Sequence, residues 1–196
     1  MWLEDIVLES ENVKLVPLTV EHANELVAAA ADGELWKLWY TSVPTQESIH
    51  KYIEFALEQK SKGLSIPFAV VDKNSGKVVG STRYCNADNV NQRVEIGYTW
   101  YSQSSQRTSI NTECKILLLS HAFEVLNAIA VEFRTNWFNQ ASRAAISRLG
   151  AKQDGVLRNH QKLSNGSYRD TVVFSILNSE WLGVKINLEH KLKKYS

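Results

Sequence analysis

Residues 102–109, Ser-Gln-Ser-Ser-Gln-Arg-Thr-Ser, are entirely polar and run into a segment whose apolar positions repeat at three and four: Cys114, Leu117, Leu118, His121, Ala122 and Val125. A polar loop entering a helix leaves backbone N–H groups without intrahelical acceptors, and the helix dipole adds positive potential at the same place. That combination suits a phosphate. The same residue types are also ordinary helix caps, so the loop alone reads either as an anion cradle or as a cap. Asn139 and Ser142 flank a second helix start, where contact with a ligand and capping are both open. Glu95 is the only carboxylate in the segment Arg93–Tyr101; it could act as a base or simply pair with an arginine such as Arg93 or Arg83. Tyr98 and Tyr101 could donate protons or pack in the core.

Other polar residues point away from metal or triad chemistry. His22, His50, His121, His160 and His190 share no ligand spacing, and Cys85 and Cys114 belong to no CxxC element. Reduced thiols and a cytoplasmic location are expected. Cys114 falls on the apolar face of its helix and reads as packing.

Several elements must position these groups. The alternation over 12–18 reads as an edge strand closed by Pro17. Ala23, Leu26, Val27 and Ala30 mark a helix stopped at Asp32-Gly33, and Ile49, Tyr52, Ile53, Ala56 and Leu57 mark a second that starts near Pro44-Thr45 and ends at Lys62-Gly63. Ile66–Asp72 and Val78–Tyr84 form a hairpin around Lys73-Asn74-Ser75-Gly76, and Arg93–Tyr101 adds a third strand. On it Val94, Ile96, Tyr98 and Trp100 share one face, and Glu95, Gly97, Thr99 and Tyr101 the other. A helix over Asn111–Leu126, a strand over Ala130–Trp137, a helix over Gln140–Leu149 stopped by Gly150, strands near Val156–His160 and Arg169–Leu177, and a helix over Ser179–Lys191 complete the chain. Trp181, Val184, Ile186 and Leu188 are the apolar candidates of the last helix.

Without repeat or linker, residues 1–196 read as one α/β (α+β) domain. Lys+Arg 22 against Asp+Glu 21 leaves a formal charge of +1, which disfavours nucleic acid or an anionic membrane as partner. The first residues lack the basic and long apolar runs of an export signal, and no apolar stretch is long enough to span a bilayer. An anionic ligand must therefore be held locally.

The ordered set of short motifs resembles the GNAT superfamily of N-acetyltransferases. Gln106-Arg107-Thr108-Ser109-Ile110-Asn111 corresponds to its Q/R-x-x-G-x-G/A signature, with Ser109 in place of the first Gly and Asn111 in place of the Gly or Ala. Around it stand Glu95-Ile96-Gly97-Tyr98, Asn111-Thr112-Glu113, His121-Ala122-Phe123-Glu124, Asn139-Gln140-Ala141-Ser142, Arg148-Leu149-Gly150-Ala151, Gly155-Val156-Leu157-Arg158 and Ser175-Ile176-Leu177 before Glu180-Trp181. In this order they look like the branch that contains ribosomal-protein N-terminal acetyltransferases.

The resemblance implies a mixed central sheet of about seven strands, flanked by helices and splayed where Arg93–Tyr101 and Ala130–Trp137 diverge. Acetyl-CoA would be the co-substrate and no metal would be needed. Trp100 and Tyr101 would pair with its pantetheine arm, Gln106, Arg107, Thr108, Ser109, Ile110, Asn111 and Thr112 would surround its pyrophosphate, and Asn139 and Ser142 would contact it further along. Ser109 is expected at negative φ, its hydroxyl reaching a phosphate oxygen or capping the helix. Glu95, eleven residues ahead of Gln106, takes the place of the general base, because the amine must be neutral to attack while a lysine amine has a reference pKa of about 10.4 and an α-amine about 8. Ser142 takes the place of the acid, and Trp39 and Tyr40, with Trp36, the acceptor pocket. The acceptor is a protein N-terminus or a small-molecule amine, attacked directly in a ternary complex. A regulatory CoA-binding module without catalysis is the alternative, and a homodimer is left open.

Overall fold

The computed structural model describes residues 2–163 and 165–194. Eight strands form one sheet in the order β1-β2-β3-β4-β5-β6-β8-β7: β1 (Leu8–Glu9), β2 (Val13–Pro17), β3 (Ile66–Asp72), β4 (Lys77–Asp88), β5 (Arg93–Tyr101), β6 (Ala130–Asn136), β7 (Lys152–Lys162) and β8 (Tyr168–Leu177). Five α-helices flank it: α1 (Ala23–Ala31), α2 (Ile49–Ser61), α3 (Ile110–Ser120), α4 (Gln140–Leu149) and α5 (Trp181–Leu192). The mixed sheet and single α/β layer structure are those expected from sequence. Tyr195 and Ser196, Met1 and Ser164 lie outside the described residues.

Apolar spacing sets which side each helix covers. On one face α1 and α2 bury Leu26, Ala30, Ile49, Ile53 and Ala56 with Ala69, Val78 and Trp100. On the other, α3 and α5 bury Cys114, Leu118, Leu119, Trp181 and Leu188 with Phe68, Tyr84, Val94 and Ile96. Strands β3 and β4 are therefore covered on both sides.

Two irregularities shape the site. β5 runs antiparallel to β4, with Arg83 opposite Gly97 and Ser81 opposite Trp100, so β5 carries one residue more than its partner. This bulge falls on Tyr98, whose φ is +51°. It breaks the uniform alternation expected from sequence. Val94, Ile96 and Tyr101 share the α3 side, whereas Trp100 packs with α1 and α2 and Tyr98 is left 43% exposed. Gly80 is required opposite the bulge, because a Cβ there would stand 2.2 Å from the Trp100 carbonyl oxygen. The second irregularity is the parallel pairing of β5 with β6, which covers only Arg93–Glu95 against Ala130–Glu132. Beyond Glu95 the two strands part.

The helix expected over Asn111–Leu126 ends as an α-helix at Ser120 and continues as a π turn, His121–Val125. The wider turn rotates Val125 out to solvent. The Tyr84 hydroxyl donates to the Leu118 carbonyl beside it. Ile186 is likewise exposed on α5. β4 runs past Tyr84, and β7 is much longer than Val156–His160, because both extensions are polar or exposed and carry no apolar alternation to read.

Candidate active site

The divergence of β5 and β6 opens a cleft of about 590 Å³. Its walls come from β5 (Ile96 to Tyr101), from the loop and first turns of α3 (Gln106, Arg107, Thr108, Asn111, Lys115), from β6 and the start of α4 (Arg134, Asn139, Ser142), from the segment between α1 and α2 (Leu38, Tyr40), and from α2 (Tyr52). Because the β5–β6 ladder stops at Glu95, the β5 backbone from Ile96 onward presents an unpaired edge to this space. Such an edge can accept an extended amide-bearing chain as an added strand.

At one end the chain enters α3. The N–H groups of Arg107, Thr108, Ser109, Asn111 and Thr112 have no acceptor among the described residues, whereas Gln106 N donates to Gln103 O at 3.1 Å and Glu113 N to Ser109 O at 2.9 Å. Ser109 has φ −66°, so its side chain adds no backbone strain. The left-handed position is Arg107, at φ +64°. Gln106 Nε2 donates to Tyr101 O at 3.1 Å and the Thr108 hydroxyl to Ser105 O at 2.8 Å, which hold the loop open from below. Five free amides at the positive end of an eleven-residue helix fit a diphosphate. Ser109, Ile110 and Thr112 do not line the cleft by side chain, and Ile110 is core. Glu113 is buried, accepting from Ser10 Oγ at 2.6 Å and from Asn12 N and Nδ2 at 3.1 and 3.0 Å. It fastens the β1–β2 turn to the start of α3, a role its position in the Asn-Thr-Glu run gave no sign of.

Glu95 is 8% exposed. Its Oε2 accepts from Asn86 Nδ2 at 2.8 Å and lies 3.5 Å from Arg134 Nε. Neither Arg93 nor Arg83 is its partner; Arg93 pairs with Glu132 at 2.5 Å. Burial raises the Glu95 carboxyl above the usual carboxylate range, against the Asn86 hydrogen bond and the Arg134 charge. The side chain faces a second pocket, of about 170 Å³, with Asn86, Arg93 and Glu132, and Arg134 lines both spaces. Gly97 makes the room: a Cβ there would sit 3.0 Å from Glu95 Oε1 and 3.1 Å from Cys85 Sγ.

On the opposite wall, Asn139 Oδ1 accepts from Ser142 N at 3.0 Å as the cap of α4, so the capping role is real. The Ser142 hydroxyl has no protein partner among the described residues, and both side chains line the cleft. Tyr40 lines it as well, while Trp39 stands at its rim, 53% exposed, its ring 5.5 Å from that of Phe138 beside α4. Trp36 packs against the α1–α2 core.

Sequence reasoning missed Lys115, Arg134 and Arg169, all of which line the cleft. Lys115 is 5% exposed, its Nζ donates to Thr99 Oγ1 at 2.9 Å, and burial lowers its pKa to about 8. A cation four residues after Asn111, on the same helix face, was the signal available. Among the described residues no group of three His, Cys, Asp or Glu side chains could hold a metal ion. None of the described helices is long and apolar enough to cross a membrane.

Comparison with known proteins agrees with this geometry. The profile of the Acetyltransferase (GNAT) domain matches residues 12–152. The chain is 34% identical over 110 residues to a Bacillus subtilis (strain 168) protein provisionally named ribosomal N-acetyltransferase YdaF, a match covering 56% of this chain and 59% of that protein. It is 25% identical over 177 residues to the uncharacterized N-acetyltransferase p20 of Bacillus licheniformis, covering 90% and 98%. The crystal structure of a GCN5-related N-acetyltransferase from Brucella melitensis superposes with a TM-score of 0.87 at 30% identity, over 98% of this chain and 87% of that one.

Proposed function

We propose that this chain, which belongs to the Acetyltransferase (GNAT) family, transfers an acetyl group from acetyl-CoA to a primary amine, either a protein N-terminus or a small molecule, by direct attack in a ternary complex. The observation that carries this reading is the alignment of two binding features along one cleft: the unpaired edge of β5 beyond Glu95 and the five unpartnered amides at the start of α3. When bound, acetyl-CoA supplies the activated acyl group as a thioester.

The protein's residues do the rest. Trp100 and Tyr101 offer backbone pairing to the pantetheine amides, and the 106–112 loop holds the diphosphate. A backbone N–H near the Tyr98 bulge, where the β4–β5 register is interrupted, serves the developing oxyanion. Glu95 is the base. Its carboxylate sits in a pocket with room for several waters, each occupying roughly 30 Å³, and takes the amine proton through them past Arg134. Ser142, whose hydroxyl is free, returns a proton to the departing thiolate. Tyr40, Leu38 and the rim residue Trp39 shape the acceptor side.

The branch of the family with ribosomal-protein acceptors is the nearest guide to the acceptor, through the partial match to YdaF. A non-catalytic CoA-binding role is the alternative, suggested by Ser109 and Asn111; the negative φ of Ser109, which spares the loop backbone strain, favours the catalytic reading. Thiol release from acetyl-CoA with a panel of amines and N-terminal peptides tests the proposal, with Glu95→Gln as control. Release that depends on both amine and Glu95 is expected; coenzyme A binding without release under any acceptor would leave only the non-catalytic role.

A further inference from the structure

Among the described residues the charged side chains that line the cleft are Arg107, Lys115, Arg134, Arg148 and Arg169, and none is acidic. The whole chain carries a formal charge of only +1, so this excess is local. Arg107 stands in the phosphate loop and Arg148 on α4. Arg134 is neutralised by Glu132 at 3.0 Å and Glu95 at 3.5 Å. Arg169 has no ion pair among the described residues, and its Nε is buried without any partner.

A second guanidinium lies directly behind the same wall. Arg83 is 1% exposed, with its Cζ 4.3 Å from the ring centroids of both Tyr52 and Tyr98, and those two rings line the cleft. Its hydrogen bond is a long one, 3.4 Å to Tyr52 O, and its Nε too has no partner. Arginine stays charged in proteins, and burying a charge without a counter-charge is costly. Arg83 is buried whole and Arg169 half-buried, each with an unpartnered Nε, so this wall gains when a ligand supplies an anion to Arg169. Desolvation also makes Arg169 hold its proton less tightly than usual, and the more distant Glu95 charge opposes this only in part.

Resting on the acetyl-transfer reading, we propose that the acceptor amine carries a carboxylate close to it, bound by Arg169 with the charge of Arg83 behind Tyr98. A guanidinium takes a carboxylate through two parallel hydrogen bonds, which fixes the acceptor's orientation as well as its position. The amine is then held toward the Tyr98 bulge. Polyamines and aminoglycosides, which bring only positive charge, are repelled by this wall. The carboxylate has two sources, the C-terminal carboxylate of a small amino acid or dipeptide and an Asp or Glu side chain just behind a protein N-terminus.

Steady-state kcat/KM with acetyl-CoA separates them: dipeptides with free against amidated C-termini form one arm, and pentapeptides with Asp against Asn at the second residue the other. At least one arm should favour the acid by about tenfold or more, the value of one good charge-assisted contact, chiefly through KM. Arg169→Gln should reduce that ratio to near unity while Arg169→Lys keeps part of it, and coenzyme A affinity should be unchanged in both. Equal use of acid and amide in both arms, preference for a basic residue, or an acid preference that survives Arg169→Gln would overturn the proposal. Should no acceptor release thiol while coenzyme A binds, acetyl transfer itself fails; calorimetric titration of the same peptides into the coenzyme A complex then decides, and equal binding of acid and amide overturns the carboxylate site.

Discussion

Lys115 Nζ donates to Thr99 Oγ1 at 2.9 Å, and Thr99 Oγ1 lies 2.7 Å from Thr82 Oγ1, so the one cation of the α3 wall is held by hydroxyls and by no carboxylate among the described residues. Burial pushes its pKa down to about 8, with the neighbouring Cys114 and Cys85 opposing. An unfolded chain holds this proton up to its ordinary value near 10.5. Folding therefore releases it between about pH 8 and 10.5, and stability from this group rises with pH across that window and is flat below it. The full effect is on the order of 3 kcal/mol, at 1.36 kcal/mol per pKa unit. Lys115→Met should raise the melting temperature at pH 7 and lose that alkaline gain, as followed by thermal denaturation at pH 7 and pH 9.5. A variant less stable than wild type at pH 7 would show that the cation is compensated.

Glu95→Gln keeps the shape and the Asn86 contact but cannot accept a proton. Turnover should fall by roughly 10²-fold or more, the lower end for a positioned base. The carboxyl is raised by burial, so the wild-type rate should decline as pH falls through a value above the usual carboxylate range. In the variant that acid limb should vanish. Equal turnover in the two proteins removes Glu95 from the mechanism.

Ser109→Gly restores the family's residue at a position whose φ is already −66°. No left-handed conformation awaits relief, and the substitution adds chain entropy to the unfolded state. Acetyl-CoA affinity by calorimetry should stay within about threefold, and stability should fall by about 0.5–1 kcal/mol. A large gain in affinity would mean that the serine obstructs the phosphate after all.

The element order was legible because its signals are local. Arg93–Tyr101 and Gln140–Leu149 appear with the bounds read from sequence, since apolar period, polar loops and the Gly150 stop all act within a few residues. The bulge at Tyr98 was not legible, because it depends on which β4 residue faces which β5 residue, a long-range pairing. Its loss from view also misplaced Trp100. For the same reason Glu95 could be picked out as a carboxylate on the right strand, while its partners Asn86 and Arg134 come from strands on either side of it. Arg83 was legible only as a possible partner of Glu95, and Arg169 not at all; what sets both apart is an Nε atom buried without a hydrogen-bond partner.

Both thiols are buried, and burial raises Cys85 well above the usual range and Cys114 to about 12. Thiolate is the reacting species, so neither should react with a disulfide reagent at pH 8 while the protein is folded. Both should react in denaturant. Rapid modification of either thiol in the native protein would show that the structure around it opens.

Asn139 and Ser142 separate a structural from a chemical role at the same helix start. The Asn139 side chain caps α4 through Ser142 N at 3.0 Å, so Asn139→Ala should cost about 1 kcal/mol of stability and raise the KM for acetyl-CoA as the cleft wall frays. Ser142 contributes its backbone to that cap and leaves its hydroxyl free, so Ser142→Ala should keep the melting temperature and the KM for acetyl-CoA close to wild type. What it should lose is turnover, by about tenfold or more if the hydroxyl protonates the departing thiolate. Acetyl thioesters with more acidic leaving thiols need that proton less. The wild-type to Ser142→Ala rate ratio should therefore shrink as the leaving thiol becomes more acidic. A constant ratio across the series would restrict Ser142 to binding.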